Sequence, residues 1–134
     1  MLDRDIARLA AELVRAQKQE GDPKHETEST YRAECESLPV LLRTAGLTRA
    51  VTYLKAKGAE RNTLYEHLQA QLQSLGIYTK DRKLDLIELV TSPAGGVRMY
   101  QHYSSLAMRI AYWHKRMAQA LLNKREPTKE APKP

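Results

Sequence analysis

The sequence predicts an all-α fold, a compact bundle of about six helices, and three observations carry that expectation. Apolar residues recur at spacings of three and four along most of the chain, the period of one face of a helix. No segment shows the strict alternation of a half-buried strand. Gly and Pro number six each in 134 residues, and most of them fall between the periodic segments. A chain of this length fits a single helical domain, residues 1–123, able to bury a core without metals or disulfides. The Pro- and Lys-rich tail, residues 124–134, is expected to be disordered.

The elements follow in order. Leu2, Ile6, Leu9, Ala10 and Leu13 lie along one helical face, with Arg4, Arg8 and Arg15 opposite. Gly21 and Pro23 then break the pattern in a polar loop. A second helix is expected from about Thr27 or Ser29 to Ala45, stopped by Gly46, with a kink at Pro39, which lacks a backbone donor. A third, about Thr48 to Lys57, groups Leu47, Ala50, Val51 and Leu54 and ends at Gly58. Asn62 is placed to cap a fourth, with Leu64, Leu68, Leu72 and Leu75 inward and Gly76 after its end. A basic loop, IYTKDRK, leads to a short helix, LDLIELV, that is apolar almost all round. The last helix opens either at Ser92–Pro93, an N-cap followed by Pro, or nearer Val97 after Gly95–Gly96, and runs to about Asn123.

Charge is unevenly distributed. Residues 1–37 hold 6 Lys/Arg against 9 Asp/Glu, a net −3, whereas residues 38–125 hold 14 against 5, a net +9. A basic central and C-terminal region points towards a polyanionic partner, set against the plainer reading of a solvated surface. No stretch approaches the ~18–20 apolar residues of a membrane span, and MLDRDIARLAAEL mixes acids and bases unlike a secretory signal. The single cysteine, Cys35, cannot form an internal disulfide, in keeping with a reducing, cytoplasmic setting.

Catalytic patterns fail one at a time, and no catalytic residue, metal site or cofactor is expected. Gly95–Gly96 lack the strand before them and the Lys-Ser/Thr after them that a phosphate loop requires. One cysteine cannot build a structural zinc site, and a lone Cys on a helix is far more often a small core residue than a nucleophile. Asp85 and Glu88 share a helical face suited to Mg²⁺, yet Lys80, Arg82 and Lys83 stand nearby and favour ordinary ion pairing. His67, His102 and His114 have no obvious carboxylate to orient them and read as boundary residues.

The last helix is more informative. Met99, Tyr103, Leu106, Ile110, Trp113, Met117 and Leu121 form a stripe read as core. Beside it Arg98, Ser105, Arg109, Arg116 and Asn123 form a second stripe, flanked by Tyr112 and Gln119. Guanidiniums rising along a helix can follow a phosphate backbone, and Tyr112 is suited to stack on an unpaired base. With no helix-turn-helix and no aromatic sheet motif, such contacts would read backbone and shape.

Two blocks resemble a known family. YRAECESLPVLLRTAGLTRAVTYLKAKG, followed by LYEHLQAQL, is similar to the small all-helical subunit of type III-B CRISPR (Cmr) effector complexes. The resemblance rests on Leu38, Pro39, Arg43, Gly46, Leu47, Tyr53, Leu54, Lys57 and Gly58. It is joined by AYWHKRMAQALL, with Trp113, Lys115, Arg116 and Ala118 in the family's places; His114, where an apolar residue is expected, and Arg49, where a small one is, depart from the pattern. The resemblance covers about Tyr31 to Leu122 and implies a non-catalytic role in antiviral defence. It implies as partners the backbone and large Cmr subunits, further copies of the same chain and the crRNA–target RNA duplex, and no membrane. The candidate RNA-binding set is then Arg43, Arg98, Arg109, Tyr112, Lys115 and Arg116. The competing readings are a helical adaptor that makes only protein–protein contacts and a metal-dependent nuclease using Asp81, Asp85 and Glu88.

Overall fold

The structure, a computed structural model, describes residues 2–18, 26–56 (side chains from 28), 62–92 and 95–123. The expected tail, residues 124–134, and the helix-ending Lys57–Gly58 lie outside the described residues. Among the described residues five helices follow in order: α1 (Leu2–Arg15), α2 (Glu26–Ala56), α3 (Thr63–Ser74), α4 (Leu86–Thr91) and α5 (Gly96–Leu121). No strand occurs among them.

The count is five rather than six because the second and third predicted helices run together as α2. Gly46 still marks their boundary, with φ 86° and ψ 167°, the non-helical residue at which α2 bends into two arms. That conformation belongs almost only to glycine. Pro39, expected to kink the helix, sits buried within it, and the break in helical backbone inside α2 falls at Gly46.

In α1, Ile6, Ala10 and Val14 are buried at successive four-residue steps, while Asp3 and Asp5 in the first turn and Arg15 in the last suit the helix dipole. Leu2, expected on that face, is 38% exposed. Helix α3 buries Leu64, Tyr65, Leu68, Gln71 and Leu72, and Asn62 precedes it without a side-chain capping bond. Helix α4 is capped by the Asp85 carboxylate, which accepts the Glu88 N–H at 3.2 Å. The acid weighed as a metal ligand or ion-pair partner thus satisfies a helix end.

Leu38, Leu47, Leu64, Leu68, Leu72, Leu86 and Ile110 are fully buried in the shared core. Each contributes about 1.5–3 kcal/mol relative to exposure. Helix α5 is the central element. Arg109 reaches Asp3 of α1, Arg32 and Glu36 of α2 bond Ala118 and Gln119, and Gln71 of α3 bonds His114. Because Arg32 meets Ala118 and Thr48 meets Tyr100, α2 and α5 run antiparallel.

The buried face of α5 is Leu106, Ala107, Ile110, Ala111, His114 and Ala118. Of the predicted core stripe, Leu106 and Ile110 are buried, while Tyr103, Trp113, Met117 and Leu121 pack partly buried at its border. The contact line is displaced towards the alanines because small side chains let neighbouring helices approach more closely.

Candidate nucleic-acid interface

The exposed side of α5 lies opposite its buried one. At about 100° per residue, Arg98, Arg109 and Arg116 fall within about 20° of one another, roughly 160° from His114. All three are exposed, as is Tyr112, while Lys115 is half-buried and lies about 100° round the helix from Arg116. Arg43 is exposed on α2 two turns after Glu36 and on the same helical face; since Glu36 bonds Gln119 of α5, Arg43 flanks α5 from the neighbouring helix.

These side chains are not equally free. Arg109 donates through Nη2 at 2.7 Å and Nε at 3.2 Å to one carboxylate oxygen of Asp3. Both partners are solvated, with side chains 42% and 57% exposed, so the pair is worth about 0–1 kcal/mol and phosphate can compete for the guanidinium. The Arg116 guanidinium stands over the Tyr112 ring, 5.1 Å from its centroid. Trp113 meets the same ring edge-on, with centroids 5.6 Å apart and planes at 80°. Tyr112 is therefore oriented by two neighbours while 46% of it faces water.

The C-terminal end of α5 is held by charge. Lys18 donates to the Leu121 carbonyl at 3.5 Å and Arg32 to the Ala118 carbonyl at 3.3 Å, cations at the negative end of the helix dipole. The fully buried Glu28 accepts the Asn123 N–H and pairs with Lys18 at 3.9 Å.

Behind α5 lies a largely buried polar chain that the sequence did not reveal. Gln71 Nε2 bonds the Ile6 carbonyl at 3.2 Å and His114 Nε2 at 3.0 Å. The carbonyl can only accept, so the Gln71 amide donates in both bonds and His114 carries its proton on Nδ1. That Nδ1–H donates to the Tyr31 oxygen at 3.3 Å, and the Tyr31 hydroxyl donates to His67 Nδ1 at 2.6 Å. Burial pushes His67 down to about 4 and His114 to about 3, the latter helped by His67. Both imidazoles are neutral at pH 7. His114, expected at a boundary, is 1% exposed; its sequence signal is its place three and four residues after Ala111 and Ile110 and four before Ala118.

Cys35 is fully buried beside this chain, and burial pushes its thiol up to about 12, so it stays protonated. Among the described residues no group of three or more His, Cys, Asp or Glu is placed to hold a metal ion. Nor is any described helix long and apolar enough to cross a membrane.

The family model described as CRISPR-associated protein (Cas_Cmr5) matches residues 2–121. Among solved structures, the chain is similar to a CRISPR-associated Cmr5 family protein from Thermus thermophilus. The two are 28% identical with a TM-score of 0.69, over 90% of this chain and 97% of that one. No curated protein matches.

Proposed function

The chain belongs to the Cmr5 family, the small subunits of type III-B CRISPR (Cmr) complexes, and we propose that it serves there as a non-catalytic RNA-binding scaffold. In this reading it lies along the guide–target duplex with further copies of itself, contacts the backbone and large subunits, and holds target RNA through phosphate contacts in the cytoplasm. The residues 1–123 act as one domain.

The observation that carries the reading is the exposed row of Arg98, Arg109 and Arg116 on α5, with Tyr112 held ready beside Arg116. A fork-shaped guanidinium suits phosphate oxygens, and an exposed tyrosine suits a base. Arg43 and Lys115 widen this row on the side facing α2. None of these contacts depends on base identity, so affinity falls steeply with salt.

Reversal of two charges, R109E/R116E, tests it. Target-RNA retention by the assembled complex should drop while far-UV circular dichroism stays unchanged; undiminished retention would sink the assignment.

A second reading, a helical adaptor that touches only proteins, draws support from exposed apolar side chains. Val97 is 73% exposed and Val40 52%. Crosslinks from this subunit to proteins but never to RNA, in the target-bound assembly, would favour it.

A further inference from the structure

The connection between α3 and α4 turns through Lys80, Asp81, Arg82 and Lys83 in a conformation that this sequence does not favour. Lys83 N donates to the Lys80 carbonyl at 2.8 Å, and Lys80 N to the Lys83 carbonyl at 3.1 Å. Asp81 and Arg82 both have positive φ, 52° and 62°. This is the two-residue type I′ turn, in which both central residues are left-handed and Asn-Gly or Asp-Gly is preferred. Asp tolerates that region through its short polar side chain. Arg82 has no such compensation, and a glycine there would remove the conformational cost.

The turn is held rather than loose. Thr79 N donates to the Lys83 carbonyl at 2.7 Å, and Thr79 Oγ1 accepts the Asp85 N–H at 2.8 Å. Ile77 and Leu84 on its two stems are buried, and Leu84 N donates to Gln73 Oε1 of α3 at 3.0 Å. The strained pair is therefore imposed by well-anchored ends.

What the strain retains is charge. Lys80, Arg82 and Lys83 lie at the surface, and among the described residues none makes a side-chain hydrogen bond or an ion pair. Arg109, by contrast, is engaged by Asp3, and Arg32 by Glu36. Tyr78, just before the turn, is 48% exposed. The turn is also remote from the arginine row. It is anchored to α3, α3 meets α5 through Gln71 and His114, and His114 lies roughly 160° round α5 from Arg98 and Arg116.

We infer that the Lys80–Lys83 turn is a second phosphate-binding contact, directed at a nucleic-acid backbone on the side of the bundle away from the α5 row. Three cations on a rigid turn, one a guanidinium fork, beside an exposed aromatic ring fit phosphates with an adjacent unstacked base. An acidic protein surface would use the cations but has no need of the ring. The inference shares a ligand class with the α5 reading but not a surface, so the two stand or fall separately.

The test is anisotropy of labelled single-stranded RNA with the full chain over a range of salt. It uses Arg82→Gly, the triple reversal K80E/R82E/K83E and, in parallel, R109E/R116E. Arg82→Gly should keep or raise the thermal midpoint while weakening RNA binding, with the log–log salt slope shallower by about 0.7, the share of one single-strand phosphate. The triple reversal should lower that slope by about 2. Unchanged affinity and slope for Arg82→Gly would overturn the inference, and so would a lowered midpoint, which would make the side chain structural. A triple reversal that costs partner-protein retention but no RNA binding would also overturn it, in favour of an acidic protein surface. Loss confined to the turn variants, with R109E/R116E binding normally, would uphold this site and remove the α5 one.

Discussion

The hydroxyl of Tyr100, in the second turn of α5, accepts the backbone N–H of Thr48 at 2.9 Å and lies 2.8 Å from Thr48 Oγ1. Thr48 opens the second arm of α2, just past the Gly46 bend, where the first backbone donors of a helix have no carbonyl a turn behind them. Tyr100 therefore caps one helix from another, and Thr48 Oγ1 extends the link to the Val90 carbonyl of α4 at 3.2 Å. One hydroxyl joins α2, α4 and α5.

Tyr100→Phe removes that acceptor and leaves the Thr48 N–H without a partner. The expected loss is about 1–2 kcal/mol in urea unfolding. A double-mutant cycle with Thr48→Ala should show coupling; strict additivity would mean the two residues stabilise the bend independently.

Gly46→Ala should destabilise by about 1–3 kcal/mol, although nothing lies within 4 Å of where its Cβ would stand. The cost is conformational, since φ 86° with ψ 167° suits only glycine. Gly95→Ala should cost as much or more, because its Cβ would meet Met99 Cγ at 2.5 Å in addition to a φ of 82°. Equal stability of Gly46→Ala and the parent would show that the bend can relax.

The Tyr31–His67–His114–Gln71 chain makes stability sensitive to acid. Both histidines have folded values, about 4 and about 3, below the ordinary 6.5, so the unfolded chain binds protons first as pH falls. Their contribution is intact above about pH 6.5 and is lost as pH falls towards 4 for His67 and 3 for His114. At pH 5 the loss is about 2 kcal/mol for each histidine. Urea midpoints measured from pH 8 to pH 4.5 should show the decline. His114→Leu should be less stable at pH 7 by about 1–3 kcal/mol, since Gln71 and Tyr31 lose a partner, and should show a flatter acid limb. An acid limb as steep as the parent's would count against His114 as its source.

Asp3→Asn should strengthen RNA binding. It releases Arg109 from its carboxylate and removes a negative charge from the edge of the row, at a stability cost of about 0–1 kcal/mol. Anisotropy titrations at low salt would show the gain, and weaker binding would contradict the placement of RNA along α5.

Much of the architecture was legible in the chain because helical faces repeat at a local period. Ile6 and Ala10 in α1, and Leu64, Leu68 and Leu72 in α3, are buried at helical spacing, although the first face closes on Val14 rather than on the expected Leu13. Gly46 and Gly76 mark a bend and a helix end through positive φ, which is also a local property. The row of Arg98, Arg109 and Arg116 was equally visible as a stripe, and so was the family resemblance carried by Leu38 to Gly58.

Other features depend on residues far apart in sequence. Asp3 and Arg109 are 106 positions apart, and nothing in either helix announces their ion pair. His114 departs from an apolar pattern, and its partners, Tyr31 and Gln71, come from two other helices. The I′ turn at Asp81–Arg82 runs against local preference, and only the anchoring of Thr79, Leu84 and Gln73 imposes it. Local pattern alone dictates an all-α chain, most of its helix limits and its basic outer stripe, because periodicity and glycine conformation act within a few residues. Long-range packing settles which arginines are engaged, which histidines are shielded and neutral, and, among the described residues, which cations stand unpaired, because those outcomes depend on the partners that folding brings together.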